Sequence, residues 1–572
     1  MGNGLWYNKV QKEGGFMLKL PKGNSNFVNI VTKGFVYVDK TKYIEILENS
    51  NDRFVHFLRP RRFGKTLFTS MLSCYYDILT KDNFDVYFKD TYIHEHPTVE
   101  KNSYLILPFD FSGLNDTSSD MLEREFTQRI EDQCKEFLNK YKIDIELEKR
   151  SAAGIISQLL YELPSKTDIP IYAIIDEYDQ FSNELISFDL KGFKNIVSKN
   201  GYVRKFYETL KIGTSKGVVK RIFMTGVSPI TLDSMTSGFN ISTNLSLDPR
   251  YHSMMGFDKD EMYKLILEID EIVNKQAALQ DMKIMYDGYC FTKKKKECLF
   301  NPNMVFYYFD QWQIYHEAPI DMIDPNMLSD YNKLESLLMI NSDQKHKDIL
   351  LEILSKEKIT CELTTSFCLD VAFTRDDFIS LLYYLGYLTI HSVYRDMIEF
   401  TVPNTFIKKI YFDYFRKMIQ LDFHVNTSNY AESINRIIDK KDNSLFVSNI
   451  EGILKSLDNR DFRGFSESKV KIAAAAIAQS NKYVLLKSEY PVEEGYVDIV
   501  LFPYHTQGIT ALFELKYIKK ENLNKATLEE KRKEAYLQLK KYGEAIEFAN
   551  QDIVKWILIF SKDECVCNEI VD

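Results

Sequence analysis

The chain has 572 residues, too many for one hydrophobic core, so roughly two to four domains are expected. Hydrophobic residues make up 45% and charged residues 27%, a globular balance that excludes a disordered or fibrous chain. The 73 basic and 82 acidic side chains leave a formal charge of −9, which argues mildly against bulk electrostatic binding of nucleic acid; any such contact needs a local basic patch.

The eight cysteines include no CxxC pair, only Cys565-Val-Cys567, and no HExxH occurs, so a structural zinc site is not expected. Residues 1–25 are polar and Gly-rich and lack the apolar core of a signal peptide. Gly2 is followed by Trp6 rather than Ser or Thr, so the myristoylation pattern fails. No apolar run reaches the roughly 18 residues that span a bilayer. The expectation is an intracellular protein (cytoplasmic, or nuclear in a eukaryote) with reduced thiols and no membrane partner.

In chain order, Phe54–Leu58 reads as a buried strand and Lys65 to about Leu79 as an amphipathic helix. Tyr104–Phe111 reads as a strand, Asp120–Tyr141 as a helix, and Ile169–Ile175 and Arg221–Thr225 as further strands. Strands alternating with helices predict a parallel sheet covered on both faces. Residues 256–425 carry helical periodicity and many aromatics, among them Phe306-Tyr-Tyr-Phe309, read as packing between helices. Lys293–Lys296 reads as a solvated turn. From residue 426 a third pattern begins. Ser466–Ser480 is an Ala-rich helix; Tyr483–Leu486, Gly495–Phe502 and Ile509–Ile518 read as strands, Leu528–Phe548 as a charged helix and Ile553–Phe560 as a buried strand. The predicted class is α/β: a parallel-sheet domain over 1–255, a helical middle region over 256–425, and a compact mixed α/β domain over 426–572.

Arg59-Pro-Arg-Arg-Phe-Gly-Lys-Thr66 lies between the first strand and its helix. Backbone N–H groups at a helix N-terminus cradle phosphates, a Lys reaches the β and γ oxygens, and a hydroxyl holds magnesium. Arg61, Arg62, Phe63, Gly64, Lys65, Thr66 and Leu67 are therefore the expected ATP contacts, with Thr66 on Mg²⁺. The first Gly of the general GxxxxGK[ST] pattern is replaced by Arg59. Downstream, Ile171-Tyr-Ala-Ile-Ile-Asp-Glu177 ends an apolar strand in two acids. Asp176 is expected in the magnesium shell, and Glu177 is expected to polarise the attacking water. Thr225, ending Arg221–Gly226, is a candidate reader of the γ-phosphate, with Ser228 behind it; a strand-capping Thr is the plain alternative.

These segments carry a resemblance. Tyr37-Val-Asp-Lys-Thr41, Arg59–Leu67, Ile174-Ile-Asp-Glu-Tyr-Asp179, Thr225-Gly-Val227, Ser237-Gly-Phe-Asn240, Gly256-Phe257, Tyr286-Asp-Gly-Tyr289, Asn301-Pro302 and Gly386-Tyr-Leu388 resemble the AAA-ATPase-like family that is fused to a PD-(D/E)XK nuclease-like domain. The likeness accounts for Arg at position 59. It also implies that Tyr37–Thr41 packs near the adenine, and that Tyr286–Phe291 and Asn301-Pro302 help a helical lid close on the P-loop domain.

At the other end, Asp498 lies in Gly495-Tyr-Val-Asp-Ile-Val-Leu-Phe502, and Glu514 and Lys516 lie in Ala511-Leu-Phe-Glu-Leu-Lys-Tyr517. Alternation along a strand puts Glu514 and Lys516 on one face while Leu515 points to the core. Asp498 and Glu514 are expected to chelate Mg²⁺, or Mn²⁺ in its place. Lys516 would orient or deprotonate water, or stabilise the phosphorane. This resembles the D…ExK layout of the PD-(D/E)XK superfamily, a likeness that implies a restriction-endonuclease-like α/β fold for 426–572, as the Gly-Lys-Thr turn implies a P-loop NTPase sheet for 1–255. Gln538 and Tyr542 resemble its QxxxY element, and Glu467 is a candidate further ligand or a helix-dipole partner. The basic residues of 528–548 alternate with acids and read as a salt-bridged helix. The functional expectation is an ATP-regulated, Mg²⁺-dependent nuclease acting on DNA in preference to RNA. The rivals are a nucleotide-switched interaction protein and an ATPase that remodels a partner. Oligomeric state and an arginine finger stay open, with Arg59, Arg61, Arg62 and Arg250 as candidates.

Overall fold

The computed structural model describes the chain apart from residues 1–4, 7–8, 13–14, 115–118, 181–200, 231–238, 270–271, 273, 295, 328–343, 368–372, 458–465, 493–494, 505, 544, 546–547, 549–550 and 572. Residues 237–238 of the family-like segment and Lys295 lie outside the described residues. Two compact units form: residues 1–317, 324–347 and 358–405 make the first, and residues 318–323, 348–357 and 406–572 the second.

The first unit is built on a parallel sheet of β1 (Phe54–Leu58), β2 (Leu105–Asp110), β3 (Ile171–Asp176), β4 (Val219–Gly226) and β5 (Thr243–Asn244), in the spatial order β2-β3-β4-β1-β5. All six residues of β3 are buried, as expected for a central parallel strand covered on both faces. Helix α1 (Lys65–Tyr76) follows β1 through the Gly-Lys-Thr turn. Helices α2 (Ser119–Tyr141), α3 (Ala152–Glu162) and α4 (Tyr202–Ser215) complete the alternation. Strand β2 is an edge: Tyr141 of α2 takes the Ile106 N–H at 2.8 Å, position 108 is Pro, and Arg129 and Gln133 of α2 donate to the Asp110 carbonyl at 3.2 Å.

The same unit takes in most of the middle region. Helix α5 (Pro302–Tyr315) buries Tyr308 and Phe309, as read from the aromatic run. An antiparallel sheet of β6 (Lys358–Glu362), β7 (Thr389–Tyr394) and β8 (Met397–Thr401), in the order β6-β8-β7, accompanies the helices. Sequence reading passed over it because its hairpin turns at Arg395, which holds φ +57° without Gly or Asn. No break falls at residue 255, since Phe63 of the P-loop packs edge-on against Tyr289 and Phe291. Residues 406–423 fall in the second unit rather than with the middle region. There Phe412, Phe415, Met418 and Ile419 join the C-terminal core.

The second unit carries helices α6 (Tyr430–Lys440), α7 (Ser444–Leu457), α8 (Glu467–Ala478) and α9 (Lys525–Gly543). Its sheet comprises β9 (Val484–Val492), β10 (Gly495–Pro503), β11 (Thr510–Tyr517), β12 (Ile553–Ser561) and β13 (Glu564–Val571) in chain order, with only β11 and β12 parallel. Ile499, Phe513, Leu515 and Trp556 pack with α6, α7 and α8, whereas Val500, Leu512 and Ile557 pack with Ala535 and Leu539 of α9. Strand β13 was not anticipated. Its sequence, Glu564-Cys-Val-Cys-Asn-Glu-Ile-Val571, does not alternate polar with apolar, so the period-two strand signal is blurred. Among the described residues no helix is long and apolar enough to cross a membrane.

His56 lies inside β1, with Nδ1 3.1 Å from Ser242 Oγ, and burial pushes its pKa down to about 4. The unfolded chain then binds a proton that the folded one does not, so this stability is present above about pH 6.5 and is lost as pH falls toward 4. The loss amounts to about 3 kcal/mol. Chemical denaturation at stepped pH should show His56→Asn with a flatter acid limb than wild type across that window; parallel limbs would contradict the assignment.

Candidate active sites

The P-loop leaves the carboxyl end of β1, the end at which open parallel sheets bind ligands. Gly64 begins α1 at φ +90°, a conformation that favours glycine, and a Cβ there would meet open space. Lys65 is buried and donates to the Arg59 and Pro60 carbonyls at 3.2 Å. Its ammonium is held over the loop, and its pKa is lowered by burial against the opposing pull of Glu177, Asp176 and Asp179. Asp176 faces Thr66, and its carboxyl is raised to about 6, chiefly by burial. Glu177 is half-buried at φ +48°, a strained position for a non-glycine residue that holds it at the mouth of the site. A cavity of about 440 Å³ is lined by Gly64, Lys65, Thr66 and Glu177 on its polar side and by Tyr37, Phe257 and Phe306 on its apolar side. Arg61, Arg62, Phe63 and Leu67 also line it.

Thr225 is fully buried and its hydroxyl has no hydrogen-bond partner, so the capping alternative is not what its side chain does here. Ser228 is different: its N–H donates to Asp179 at 2.7 Å and its carbonyl accepts from Tyr178 at 2.6 Å. Asp179 also accepts from Val227 N–H, at 3.0 Å. A Cβ at Gly226 would lie 2.4 Å from Asp179. Asp179 therefore latches the acidic turn after β3 to the end of β4. The unpartnered Thr225 hydroxyl, the Thr66–Asp176 pair and the open cradle at Gly64 fit a nucleoside triphosphate with magnesium.

Arg59 is 1% exposed. Its guanidinium donates to the carbonyls of Leu58, Ser246, Tyr251 and His252 at 2.8 to 3.4 Å and lies between the rings of Phe57 and Phe291, 4.1 and 4.2 Å from their centroids. Burial lowers its pKa to about 9. It is a brace, committed away from the cavity, and not a free finger. Arg250 is engaged by Asp248 at 2.7 Å, and Arg61 donates to Gln180 at 3.2 Å.

In the second unit the ladder pairs Val500 with Leu512 and Ile499 with Phe513, which sets Asp498 beside Glu514 at its end. Asp498 Oδ2 accepts Leu515 N–H at 2.7 Å, and Lys516 Nζ reaches Glu514 Oε1 at 2.7 Å. Glu514 is 2% exposed, and its Oε2 has no partner. Burial first and the Asp498 charge second hold its carboxyl above the usual range; the Lys516 ammonium opposes both. On α9, Glu534 lies 3.9 Å from Lys516 and Tyr542 presses on Gly495. Gln538 sits between them in the same helical row, with its buried Oε1 unpartnered. Two residues escaped sequence reading. Lys471 of α8 reaches Asp498 Oδ1 at 2.6 Å, Glu489 at 2.6 Å and Glu467 at 3.5 Å. Glu534 was read only as part of a salt-bridged helix. Among the described residues no three His, Cys, Asp or Glu side chains by themselves form a metal cage. Asp498 and the open Glu514 oxygen fit an ion that completes its shell with water and phosphate, the habit of magnesium.

A family model described as a predicted AAA-ATPase matches residues 21–236, and one described as the PD-(D/E)XK nuclease superfamily matches residues 465–570. A curated relative from Azotobacter chroococcum mcd 1, described as an uncharacterized protein in the vnfD 5′ region, is 24% identical over 298 residues, 50% of this chain and 50% of that protein. The match thus spans about half the length of the relative. Among solved structures, a Walker-type ATPase of Pyrococcus abyssi aligns at 13% identity and TM-score 0.34, covering 69% of this chain and 98% of its own. Cdc6p from Pyrobaculum aerophilum aligns at 10% and 0.25, covering 69% and 93%. Likenesses that slight carry no argument.

Restoring the general P-loop residue with Arg59→Gly should weaken the fold rather than improve nucleotide binding. It strips four buried carbonyls of their donors, a loss of about 3 kcal/mol or more. Thermal melting without nucleotide should fall clearly for Arg59→Gly and barely for Arg62→Ala, whose side chain is exposed; equal melting would contradict the brace.

Proposed function

We propose that this chain, which joins an AAA-ATPase-like domain to a PD-(D/E)XK nuclease superfamily domain, binds and hydrolyses ATP and uses its second domain to cut phosphodiester bonds, in DNA ahead of RNA. The observation that carries the reading is the pair of buried carboxylates, Asp498 and Glu514, with Lys516 beside them and one Glu514 oxygen left open. Ordinary surface strands have no reason to bury such a set.

In the first site, the amides of Phe63–Thr66 and the Lys65 ammonium would take the phosphates. Thr66 and Asp176 would hold magnesium, which supplies charge neutralisation between the β and γ oxygens. Tyr37, Phe257 and Phe306 offer the purine an apolar wall. Glu177 would orient the attacking water, and the Thr225 hydroxyl would find its missing partner on the γ-phosphate.

In the second site, Asp498 and Glu514 would hold the divalent ion, Mg²⁺ or Mn²⁺, which neutralises the scissile phosphate and acidifies bound water. Glu514 raises the Lys516 pKa above the ordinary value, against the effect of burial. Lys516 therefore stays charged at neutral pH, which suits it to stabilise the phosphorane rather than to remove a proton. Gln538, on the helix over the sheet, would steady the substrate side of the site.

A second reading, a nucleotide-switched module that binds nucleic acid or protein without cutting, is favoured by one observation. Lys471 and Lys516 already set a cation against one oxygen of each carboxylate without a metal. The two readings part in one assay of the full chain on plasmid, single-stranded DNA and RNA, with Mg²⁺ or Mn²⁺ and with or without ATP. Asp498→Ala and Lys516→Ala should abolish cleavage and leave ATP hydrolysis within about twofold of wild type, a rate difference of under 0.5 kcal/mol. Lys65→Ala should lose ATP affinity, whereas Glu177→Gln should bind ATP and not hydrolyse it. Absence of nucleotide binding by wild type would sink the first site's assignment. Retained binding without cleavage under any metal would hand the second site to the module reading.

A further inference from the structure

Three acids line up across neighbouring strands at the second site. The β9–β10 ladder pairs Ser488 with Ile499 and Tyr490 with Val497, so Glu489 stands opposite Asp498. Asp498 in turn stands beside Glu514. The ladder skips a pair at Glu489, whose φ is +48°. Like charges directly opposite each other on a sheet destabilise it, so this row needs cations. Lys516 answers Glu514. Lys471 answers the other two and also Glu467, one helical turn before it. Glu534, the next acid, is taken by Lys531 at 2.7 Å.

The oxygens of Asp498 are both in use. Oδ2 is fixed by the Leu515 N–H at 2.7 Å, and Oδ1 lies 2.6 Å from the Lys471 ammonium. Lys471 is only 20% exposed and Asp498 8%, so this pair is not a solvated surface contact of little consequence. A divalent ion reaching for Asp498 meets a cation already there. Glu467, Glu489, Asp498 and Glu514 outnumber Lys471 and Lys516 by two, a surplus that one divalent cation would neutralise.

We infer that Lys471 is a built-in counter-cation that competes with the divalent ion for Asp498 and so sets the metal concentration at which the site loads. The inference rests on the metal-site reading of Asp498 and Glu514. Lys471 touches neither substrate nor water in this account. It is a positioning residue that holds Glu467, Glu489 and Asp498 in place until an ion takes over one of them.

The test is calorimetric titration of Mn²⁺ into the nucleotide-free full chain, with melting curves in chelator and in Mn²⁺. Lys471→Met should bind Mn²⁺ about tenfold more tightly or better, which is 1.4 kcal/mol or more. It should melt below wild type in chelator and recover in Mn²⁺. Lys471→Arg should bind as weakly as wild type, and Glu514→Gln should lose the site. If Lys471→Met does not fold, Lys471→Gln takes its place. Mn²⁺ affinity equal to or weaker than wild type in the neutral variant overturns the competition, while the metal site itself stands if Glu514→Gln still abolishes binding. A lower melting point that Mn²⁺ does not restore also overturns it, leaving a purely structural ion pair. No Glu514-dependent binding in any variant removes the metal-site reading, and this inference with it.

Discussion

A guanidinium withdrawn from water carries a desolvation penalty of several kcal/mol that hydrogen-bond partners and ring faces must offset, and the first unit is organised around those it offers Arg59, whose two terminal nitrogens are partnered while Nε is not. Four carbonyls, from Leu58, Ser246, Tyr251 and His252, and the faces of Phe57 and Phe291 surround it. Those partners are the end of β1, the segment after β5 and the aromatic strip that follows. Meeting the cation therefore fixes the wall behind the phosphate loop. Phe63 then wedges between Tyr289 and Phe291, and Gly386 lets Pro60 come close. With its back braced, the loop presents the open side of Gly64 to the cavity.

Both sites share an electrostatic habit. Lys65 rests on the carbonyls of its own loop, and Lys471 and Lys516 rest on the acids they would otherwise leave exposed to one another. Buried charge is tolerated here because it is answered internally.

How much of this could be read from the residues follows from where the partners lie. Gly64-Lys65-Thr66 and Asp176-Glu177 are local motifs on a strand–turn–helix and a strand end, and period-two alternation was enough to put Glu514 and Lys516 on one face. Arg59 looks like a gap in the motif because three of its four carbonyl partners lie 187 to 193 positions away. Lys471 was passed over for a similar reason. On an Ala-rich helix it reads as a solvated lysine, and its acids converge on it only after β9 and β10 pair. Phe306 reads as helix packing; it is half-buried, meets Phe257 edge-on and lines the cavity. The expected boundary at 425 failed to mark a packing boundary, since one helix periodicity runs from 405 to 423 and only its buried face reveals which core it joins.

The outer border of β2 has a consequence for the behaviour of this chain in a crowded solution. A parallel strand at the margin of a sheet ordinarily offers alternate amides and carbonyls as a template on which another strand can grow. Here the Ile106 amide is occupied by the Tyr141 hydroxyl, position 108 has no amide to offer, and the Asp110 carbonyl is occupied by Arg129 and Gln133. Recruitment of a second copy by extending the sheet at this margin would first require peeling helix 119–141 away. At this margin a 45% hydrophobic chain is guarded against runaway strand-on-strand polymerisation by three side chains of one helix and a single imino acid.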